Sequence, residues 1–379
     1  MMKIGILTLP FTTNYGGILQ AYALCTILEK LGHDVKVFHN NYRPRFSCGI
    51  HRCLLVYGYR IMRYVFSGGK NVVLKEKKLR EQYSIIKRNL DEFVRCHINL
   101  YFISSIKSIN LKEFDAIIVG SDQIWRPQYV KDMWNSSIED AFLYFAKGER
   151  IKKISYAASL GNDQWCINEC VTAKIKEIIK EYDGVTVRET SALKLCDTIL
   201  DVNAQIVLDP TLLLKKEDYD ILCDNSVSKF NHHFLLCYIL DMNEEKQSLI
   251  DKVSKEKKLK IINIYKKWSD VSKPINERIL PPVETWINAF KTADFIVTDS
   301  FHACVFSIIY RKPFVAIGNT ERGITRFESL LHMLELDKNL LRNVNQYDST
   351  QAYTIGERTN VLLNKRREES MAFLKSVLL

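Results

Sequence analysis

The feature that most constrains the fold is an alternation, along the whole chain, of strand-sized apolar runs with helix-length segments that carry one apolar face. A strand that is apolar throughout is buried on both sides, and the helix after it crosses over to the next parallel strand. The pattern therefore predicts an α/β protein with parallel sheets. The predicted strands are 3–8, 35–38, 116–119, 153–157, 184–187, 205–208, 234–240, 260–264, 295–298 and 314–317.

The chain length and a break in this pattern predict two domains. With 379 residues the chain exceeds one average domain, and a polar stretch at 215–231 separates two sets of strands. We place an N-terminal Rossmann-like domain at 1–212, a second Rossmann-like domain at 213–350, and a final helical segment at 351–379 that can pack back on the first domain. Ligands of open α/β sheets bind beyond the carboxyl ends of the strands, so the two domains are expected to face a common cleft.

The cysteines and the apolar runs argue against several classes of protein. None of the ten cysteines forms a Cys-x-x-Cys pair, so neither a metal nor a redox site is expected, and so many unpaired thiols favour a reducing compartment. The chain enters a strand at Lys3 without the pattern of a signal peptide. Apolar runs such as 234–240 are far shorter than the roughly 20 residues of a spanning helix. We therefore expect a cytoplasmic protein.

Most of the formal net charge of +10 is concentrated in a basic segment, residues 43–95, which holds 13 Lys or Arg and 4 Asp or Glu, a net charge of +9. Aromatic and aliphatic residues alternate there with Arg52, Arg60 and Arg63, as in a helix that lies on a membrane surface. Two interpretations stay open: peripheral contact with the inner face of an anionic membrane, and a basic helix pair packed on its own domain. Nucleic acid is not an expected partner, because no known reading motif accompanies the charge.

The first predicted strand ends in a loop that contains Asn14, Tyr15, Gly16 and Gly17, and a helix is predicted from there to Leu31. Backbone N–H groups at the start of that helix could bind an anion or a sugar hydroxyl. The alternative is that the glycine pair serves turn geometry alone. The spacing differs from the G-x-G-x-x-G dinucleotide fingerprint, so NAD is not an expected cofactor.

A second polar turn follows the predicted strand 116–119. Ser121 and Asp122 offer a hydroxyl and a carboxylate close to Trp125, and this combination is typical of a sugar site with an aromatic platform. Alternatively, Ser121 or Asp122 caps the next turn. A similar strand and polar turn recur at 294–302, so both turns are expected to face the cleft.

Three further candidate residues, Arg188, His302 and Arg326, lie after other predicted strands and carry side chains that are or can become cationic. Arg188 comes directly after a predicted strand, where its guanidinium and the N–H groups of the next helix would point the same way, which suits a doubly anionic ligand. Ser300 is a candidate N-cap that places His302 in the first turn of a helix at 301–310. An imidazole there can act as a general acid, and a structural role is the alternative. Arg326 either reaches an anion from a loop or lies on a helix surface.

Five short passages form an ordered set: Asn-Tyr-Gly-Gly with Gln-Ala-Tyr at 14–22, Gly-Ser-Asp-Gln-Ile-Trp at 120–125, Val-Arg-Glu at 187–189, Leu-Asp-Pro at 208–210 and Thr-Asp-Ser-Phe-His at 298–302. The set resembles the polysaccharide pyruvyl transferase family, and the resemblance spans residues 1 to about 335. Two departures stand out. Ala303 and Cys304 replace a small residue followed by Thr, and Arg126 replaces the usual Asn, a change that could alter acceptor preference.

The resemblance implies a GT-B-like pair of Rossmann domains and a reaction. Family members transfer a carboxyethylidene group from phosphoenolpyruvate to two hydroxyls of a sugar, which forms a ketal and releases phosphate. The acceptor would belong to a polysaccharide, as in a capsule or exopolysaccharide, or to a lipid-diphosphate-linked glycan precursor. No metal or organic cofactor is implied.

The resemblance also implies roles for individual residues. His302 would be the acid, and Arg188, Ser300 and Arg326 would bind the donor through charge-assisted hydrogen bonds. The acceptor or the rest of the cleft would be served by Asn14, Tyr15, Gly16, Gly17, Ser121, Asp122 and Arg126.

Two other functions stay open at this point. A nucleotide-sugar-dependent glycosyltransferase would suit the same two-domain cleft, because a fold does not fix a function. A third interpretation is a binding-only member that modulates a polysaccharide assembly complex. Stabilisation by phosphoenolpyruvate, by a nucleotide sugar or by neither would separate the three.

Overall fold

The structure is a computed structural model that describes residues 1–44, 50–66, 74–161, 163–223, 230, 233–318 and 323–378, without the side chains of 50–55, 63 and 64. Parts of the basic segment (45–49 and 67–73, with the side chains of Arg52 and Arg63) therefore lie outside the described residues, as do 224–229 and 231 of the polar stretch at 215–231.

The ten predicted strands are present, and two short ones join them. The strands are β1 Lys3–Leu7, β2 Asp34–His39, β3 Leu100–Phe102, β4 Ala116–Val119, β5 Lys152–Ala158, β6 Gly184–Val187, β7 Gln205–Ile206, β8 Phe234–Tyr238, β9 Lys260–Asn263, β10 Phe295–Thr298, β11 Phe314–Ile317 and β12 Leu340–Leu341. The unpredicted β3 and β12 contain only three and two residues, and each lies at the edge of its sheet.

Helices occupy most of the remaining chain. They are α1 Tyr15–Lys30, α2 Ile50–Phe66, α3 Lys75–Ile86, α4 Arg88–His97, α5 Pro127–Tyr129, α6 Ile138–Ala141, α7 Glu169–Ile179, α8 Thr190–Thr198, α9 Pro210–Leu213, α10 Lys216–Cys223, α11 Glu244–Lys257, α12 Ile275–Arg278, α13 Val283–Thr292, α14 Phe301–Ile309, α15 Thr325–Met333 and α16 Glu357–Leu378. Short 3₁₀ turns lie at Ile106–Ser108, Leu111–Glu113, Tyr144–Ala146, Asp337–Asn339 and Val344–Gln346, and a π-helical turn at Val130–Trp134. Among the described helices, none is long and apolar enough to cross a bilayer.

The strands form two parallel sheets, which confirms the predicted α/β class. The first sheet has seven strands in the order β3-β2-β1-β4-β5-β6-β7, and the second has five in the order β12-β11-β10-β8-β9. Both orders are of the doubly wound, Rossmann-like type, in which strand order reverses direction at a switch point. The switch points lie between β1 and β4 in the first sheet and between β8 and β10 in the second.

The two sheets share one continuous core. Alternate residues of each buried strand point to opposite faces of the sheet, and the residues on one face of each sheet meet in this core. Ile6 of β1 and Ile296 of β10 belong to the same apolar cluster, which also contains Phe306 of α14. Their neighbours Leu7 and Val297 belong to two separate clusters on the other faces of the sheets. The arrangement is the expected GT-B-like pair of Rossmann-like domains, packed against each other on their inner faces.

The C-terminal helix α16 lies against the first sheet. The backbone N–H of Leu208 donates to Ser370 Oγ at 3.1 Å, and Lys152 Nζ donates to the carbonyl oxygen of Val377 at 2.8 Å. Gly184 at the start of β6 lies so close to Phe373 that a Cβ would be 2.8 Å from its ring. The helix thus covers β5, β6 and the segment after β7.

The basic segment forms α2, α3 and α4, and its helices do not pack on their own domain alone. The ring of Phe93 in α4 lies 5.5 Å from Tyr22 of α1, in the first domain. The ring of Tyr83 in α3 lies 5.7 Å from Trp268, which belongs to the second domain. The interpretation as a helix pair packed only on its own domain is therefore wrong for α3, because apolar partners are available on both sides of the cleft.

Candidate functional site

The candidate site lies where the switch points of the two sheets meet. Loops that follow β1 and β4 in the first domain, and loops that follow β8 and β10 in the second, line one cavity of about 310 Å³. At a switch point neighbouring loops diverge to opposite faces of the sheet and leave a crevice for a ligand. The topology of both domains thus places this cavity. Residues from three of the ordered passages, those at 14–22, 120–125 and 298–302, line it, whereas Arg188 and Asp209 are buried and are not part of its lining.

His302 lies in the cavity wall, in contact with the start of α1. It is the second residue of α14 and is 6% exposed. A Cβ on Gly16 would lie 2.0 Å from His302 Nδ1, so any side chain at position 16 would overlap the imidazole. Asn14 caps α1, because its side-chain oxygen accepts the Gly16 N–H at 3.1 Å. The glycine passage is therefore the first turn of a helix and not the predicted loop.

Asp209 joins the two halves of the site. Arg188 Nη1 donates to its Oδ2 atom at 2.6 Å, and Ser121 Oγ donates to the same atom at 3.0 Å. The Oδ1 atom accepts from the N–H and hydroxyl of Thr211 at 3.0 and 2.6 Å. His302 Nε2 lies 3.6 Å from Oδ2. One buried carboxylate thus contacts both a cation of the first domain and the histidine of the second.

The ionisation states of Asp209 and Arg188 are set by the charged and polar groups around them. Burial opposes ionisation of Asp209, but His302, Arg188 and the Thr211 hydroxyl hold the pKa of its carboxyl well below the usual range. Burial likewise opposes the charge of Arg188, and the carboxylates of Asp209, Glu189 and Asp122 raise the pKa of its guanidinium. Arg188 and Asp209 therefore remain an ion pair at neutral pH.

Two of the nitrogen atoms of the Arg188 guanidinium are buried donors that Asp209 does not engage. Its Nη2 lies 3.9 Å from Asp122 Oδ1, and its Nε lies 4.0 Å from Glu189 Oε2. Within the described part of the chain, neither nitrogen has a hydrogen-bond partner. The predicted alignment with the next helix is wrong, because α8 begins at Thr190 and the guanidinium turns to Asp209 instead.

Arg326 is the second cation of the site. It is the second residue of α15 and is 6% exposed, so the helix-surface interpretation is wrong. Its guanidinium carbon lies 5.5 Å from the centre of the Phe301 ring, and that of Arg188 lies 4.7 Å from the same ring. Burial and the nearby charge of Arg188 lower the pKa of Arg326 to about 10. A bound anion would relieve the repulsion between the two guanidinium groups.

Nearby carboxylates are engaged by backbone N–H groups. Glu189 Oε1 accepts from the Leu160 and Gly161 N–H groups at 3.0 and 3.3 Å. Asp122 has a φ of 75° and accepts the Gln123 N–H at 2.9 Å. The bonds to Glu189 hold the loop after β5 in place, and the bond to Asp122 holds the loop after β4. The role of Glu189 is therefore to position a loop.

The predicted aromatic platform beside Ser121 is wrong. Trp125 is fully buried, stacks on Phe142 at 4.4 Å and donates its indole N–H to the carbonyl oxygen of Ala141. Arg126 is half-buried and does not line the cavity directly. It donates to Gln123 Oε1 at 2.9 Å and lies 4.8 Å from the Tyr129 ring. Since Gln123 and Tyr129 do line the cavity, Arg126 can act only through them.

The remaining predicted residues also lie in the cavity wall. Ser300 precedes α14, but its side chain makes no capping hydrogen bond to the described helix. Tyr15 donates its hydroxyl to the carbonyl oxygen of Pro281 at 2.7 Å and stacks on Trp286 at 5.4 Å. Tyr15 therefore connects the two domains and is only 3% exposed. Gly17 lies near Asp122, whose Oδ2 would be 3.3 Å from a Cβ at this position.

Fold and site together define a class: a two-domain parallel α/β protein with a cavity lined by a buried histidine and a buried arginine. Among the described residues, no cluster of three or more His, Cys, Asp or Glu could hold a metal. A family model described as polysaccharide pyruvyl transferase matches residues 14–321. The chain belongs to this family and is a transferase.

Several solved structures are similar at low identity. UDP-GlcNAc 2-epimerase from Methanocaldococcus jannaschii is 14% identical with a TM-score of 0.48, over 96% of this chain and 92% of that one. UDP-GlcNAc 2-epimerase from Neisseria meningitidis, bound to UDP-GlcNAc, is 12% identical with a TM-score of 0.43, over 96% and 99%. ADP-heptose lps heptosyltransferase II from E. coli is 11% identical with a TM-score of 0.37, over 97% and 100%. Comparison with curated proteins gave no match.

Proposed function

We propose that the protein transfers the carboxyethylidene group of phosphoenolpyruvate to two hydroxyls of a sugar, which forms a cyclic ketal and releases phosphate. One observation carries the proposal. A buried arginine from each domain, Arg188 and Arg326, flanks the Phe301 ring directly beside His302. Phosphoenolpyruvate carries a phosphate and a carboxylate, and planar guanidinium groups suit both. Membership of the polysaccharide pyruvyl transferase family supports a sugar as the acceptor.

The chemistry needs one acid and several anion-binding groups. A proton from His302 goes to the methylene carbon of the donor, and the first sugar hydroxyl forms a C–O bond to the central carbon of the resulting cation. The bond to the phosphate oxygen then breaks, phosphate leaves, and the second hydroxyl closes the ketal. Of the two hydroxyl protons, one restores the acid and the other leaves with phosphate. Arg188 and Arg326 would stabilise the leaving phosphate and hold the carboxylate.

Asp209 would hold Arg188 and His302 in a fixed position relative to each other. Its carboxylate contacts Arg188 directly and lies beside His302, so it relates the donor-binding cation of one domain to the acid of the other. Four hydrogen bonds from Arg188, Ser121 and Thr211 fix its position. Preorganised charges of this kind act without reorganisation during the reaction.

The proposal is tested by ligand stabilisation and by phosphate release. Phosphoenolpyruvate at 100 times its Kd is expected to stabilise the folded protein by about 2.7 kcal/mol, seen as a rise in Tm. Phosphate release from phosphoenolpyruvate should depend on an added saccharide. Stabilisation by a nucleotide sugar such as UDP-glucose but not by phosphoenolpyruvate would favour a glycosyltransferase. Stabilisation by neither would favour the binding-only interpretation.

We propose in addition that α2 contacts an anionic membrane surface at the inner face of the cytoplasmic membrane, where a lipid-diphosphate-linked acceptor would be found. The C-terminal part of α2 exposes five apolar or aromatic side chains, among them Val65 and Phe66 at 68% and 84%. The segment around it carries a net charge of +9. An exposed apolar face within a basic segment is typical of helices that lie in a lipid interface. Each nearby Lys or Arg adds about 1 kcal/mol of attraction to an anionic surface.

Sedimentation with lipid vesicles tests this contact. We expect binding to phosphatidylglycerol vesicles but not to phosphatidylcholine vesicles, and loss of binding at high salt because the attraction is screened. Changing Val65 and Phe66 to serine should weaken it. Val361→Ser is the matched control, since Val361 is 60% exposed on α16, outside the basic segment. Arg60 is left unchanged because it pairs with Glu76 at 2.7 Å. Equal binding to both vesicles, or to neither at low salt, would contradict the proposal.

A further inference from the structure

One part of the cavity wall has no role in binding the donor, and it is aromatic. Tyr265 and Trp268, in the loop after β9, both line the cavity and are half-buried. Each residue is therefore partly covered by protein and partly accessible. Sugars commonly place their C–H face on such a ring, because aromatic side chains supply a large apolar surface with defined geometry.

Other aromatic residues of the same wall are already covered. Trp286 is 1% exposed and stacks on Tyr15, and Tyr238 packs edge-on against Trp286 at 5.6 Å. These rings belong to the core between the domains. The ring of Tyr265 rests edge-on against Tyr238 at 5.8 Å, so Tyr265 is packed on this core.

The loop that carries Trp268 is held by α3 of the basic segment. Arg278 is 1% exposed and connects the two, because its Nη1 donates to the carbonyl oxygen of Trp268 at 3.1 Å and its Nη2 donates to Gln82. Lys78 Nζ donates to the carbonyl oxygen of Val271 at 3.3 Å, and the Tyr83 ring packs edge-on against Trp268. Helix α3 thus fixes the position of the aromatic wall.

Polar groups suited to hydroxyls line the same cavity on the side of the first domain. Thr12 and Thr13 are half-buried and Asn14 is exposed, and all three line the cavity. A saccharide site combines an aromatic surface for one face of the ring with a few oriented polar groups for its hydroxyls. The cavity offers both.

We infer that Tyr265 and Trp268 form the acceptor subsite, which takes a saccharide ring by stacking, and that α3 positions it. The inference rests on the proposed function, because it assigns the acceptor of the same reaction. It also gives the basic segment a part in acceptor specificity: a change in α3 moves the wall on which the sugar rests.

The test is Trp268→Leu, with phosphate release measured from phosphoenolpyruvate and a panel of methyl glycosides of galactose, glucose and N-acetylmannosamine. The KM for the accepted glycoside is expected to rise roughly tenfold through loss of the stacking surface, while the KM for phosphoenolpyruvate stays within about twofold. Trp165→Leu is the matched control, because Trp165 is half-buried but packs near Phe142 away from the cavity. Gln82→Ala, which removes a contact of Arg278, should raise the glycoside KM by less.

The outcomes separate this inference from the proposed function. If phosphoenolpyruvate neither stabilises nor is turned over by the wild-type protein, the proposed function itself fails. If it is turned over but Trp268→Leu leaves the glycoside KM unchanged, the subsite is wrong. The subsite is also wrong if no glycoside of the panel binds when phosphoenolpyruvate is present, or if the substitution weakens binding of UDP-glucose instead.

Discussion

Replacing His302 with alanine is expected to lower the rate of phosphate release by about 10²–10⁴-fold, the usual contribution of a general acid. Binding of phosphoenolpyruvate should persist, because Arg188 and Arg326 are untouched and still provide two buried cations. Steady-state kinetics would measure the first effect, and the rise in Tm with phosphoenolpyruvate would measure the second. Activity within a few-fold of wild type would remove His302 from the mechanism. A large fall in Tm without ligand would indicate a structural role instead.

A pair of glycine substitutions on α1 tests the placement of the same imidazole without removing it. Gly16→Ala would put a methyl group 2.0 Å from His302 Nδ1 and displace the ring, and a displacement of about 1 Å can cost about 10²-fold in rate. Gly17→Ala is the control, since its methyl group would lie 3.1 Å from Asn14 Nδ2 and 3.3 Å from Asp122 Oδ2, far milder approaches than the one that Gly16→Ala makes to the imidazole. Equal loss in both variants would mean that the start of α1, and not the histidine, is being disturbed.

The fold could be predicted from the sequence because the buried parallel strands are apolar at most of their positions. Strands β4 and β10 are fully buried over all four residues, and their runs are recognisable without any knowledge of their partners. Strand β3 was not predicted, although Leu-Tyr-Phe-Ile at 100–103 is an apolar run; it lies at the edge of its sheet and has half-buried and exposed positions only. Long-range pairing defines such edge strands, and local sequence carries no sign of it.

The candidate site could be predicted in part, because polar residues directly after a buried strand must lie at the carboxyl edge of the sheet. That rule anticipates the positions of Ser300 and His302, which line the cavity, and of Ser121, which is buried against Asp209. It fails for Trp125, whose local setting gives no indication that the ring turns inward to Phe142. Arg326 likewise sits in an ordinary amphipathic helix pattern, and its local sequence gives no sign that the residue is buried.

Sequence reasoning missed Asp209 as a site residue, because the contacts that make it central are long-range. The Leu-Asp-Pro passage marks it in the sequence, and its local role is plain, since it caps α9 through the Thr211 N–H. Its contacts with Ser121, Arg188 and His302 join residues that are up to 93 positions away in the chain. A capping residue and a central carboxylate look alike until the long-range partners are known.

Arg188→Lys keeps the positive charge but loses the planar arrangement of guanidinium donors. We expect this variant to be severely impaired in the use of phosphoenolpyruvate. The wild-type guanidinium binds Asp209 through Nη1 and retains Nε and Nη2 as donors. A lysine ammonium is a single point of charge, and at this position it would be engaged by the buried Asp209. Little of its charge would then be directed at the donor.

We therefore expect kcat/KM for phosphoenolpyruvate to fall by an amount equivalent to about 1.5–3 kcal/mol, the usual contribution of a hydrogen bond to a charged group. The KM for the saccharide should change little, because the acceptor wall at Trp268 lies in the other domain. Arg358→Lys is the matched control, since Arg358 is 72% exposed and pairs only at the surface with Glu335, where such a contact is worth little. An unchanged kcat/KM for phosphoenolpyruvate in Arg188→Lys would show that Asp209 needs a positive charge at this position, and that the donor is bound elsewhere.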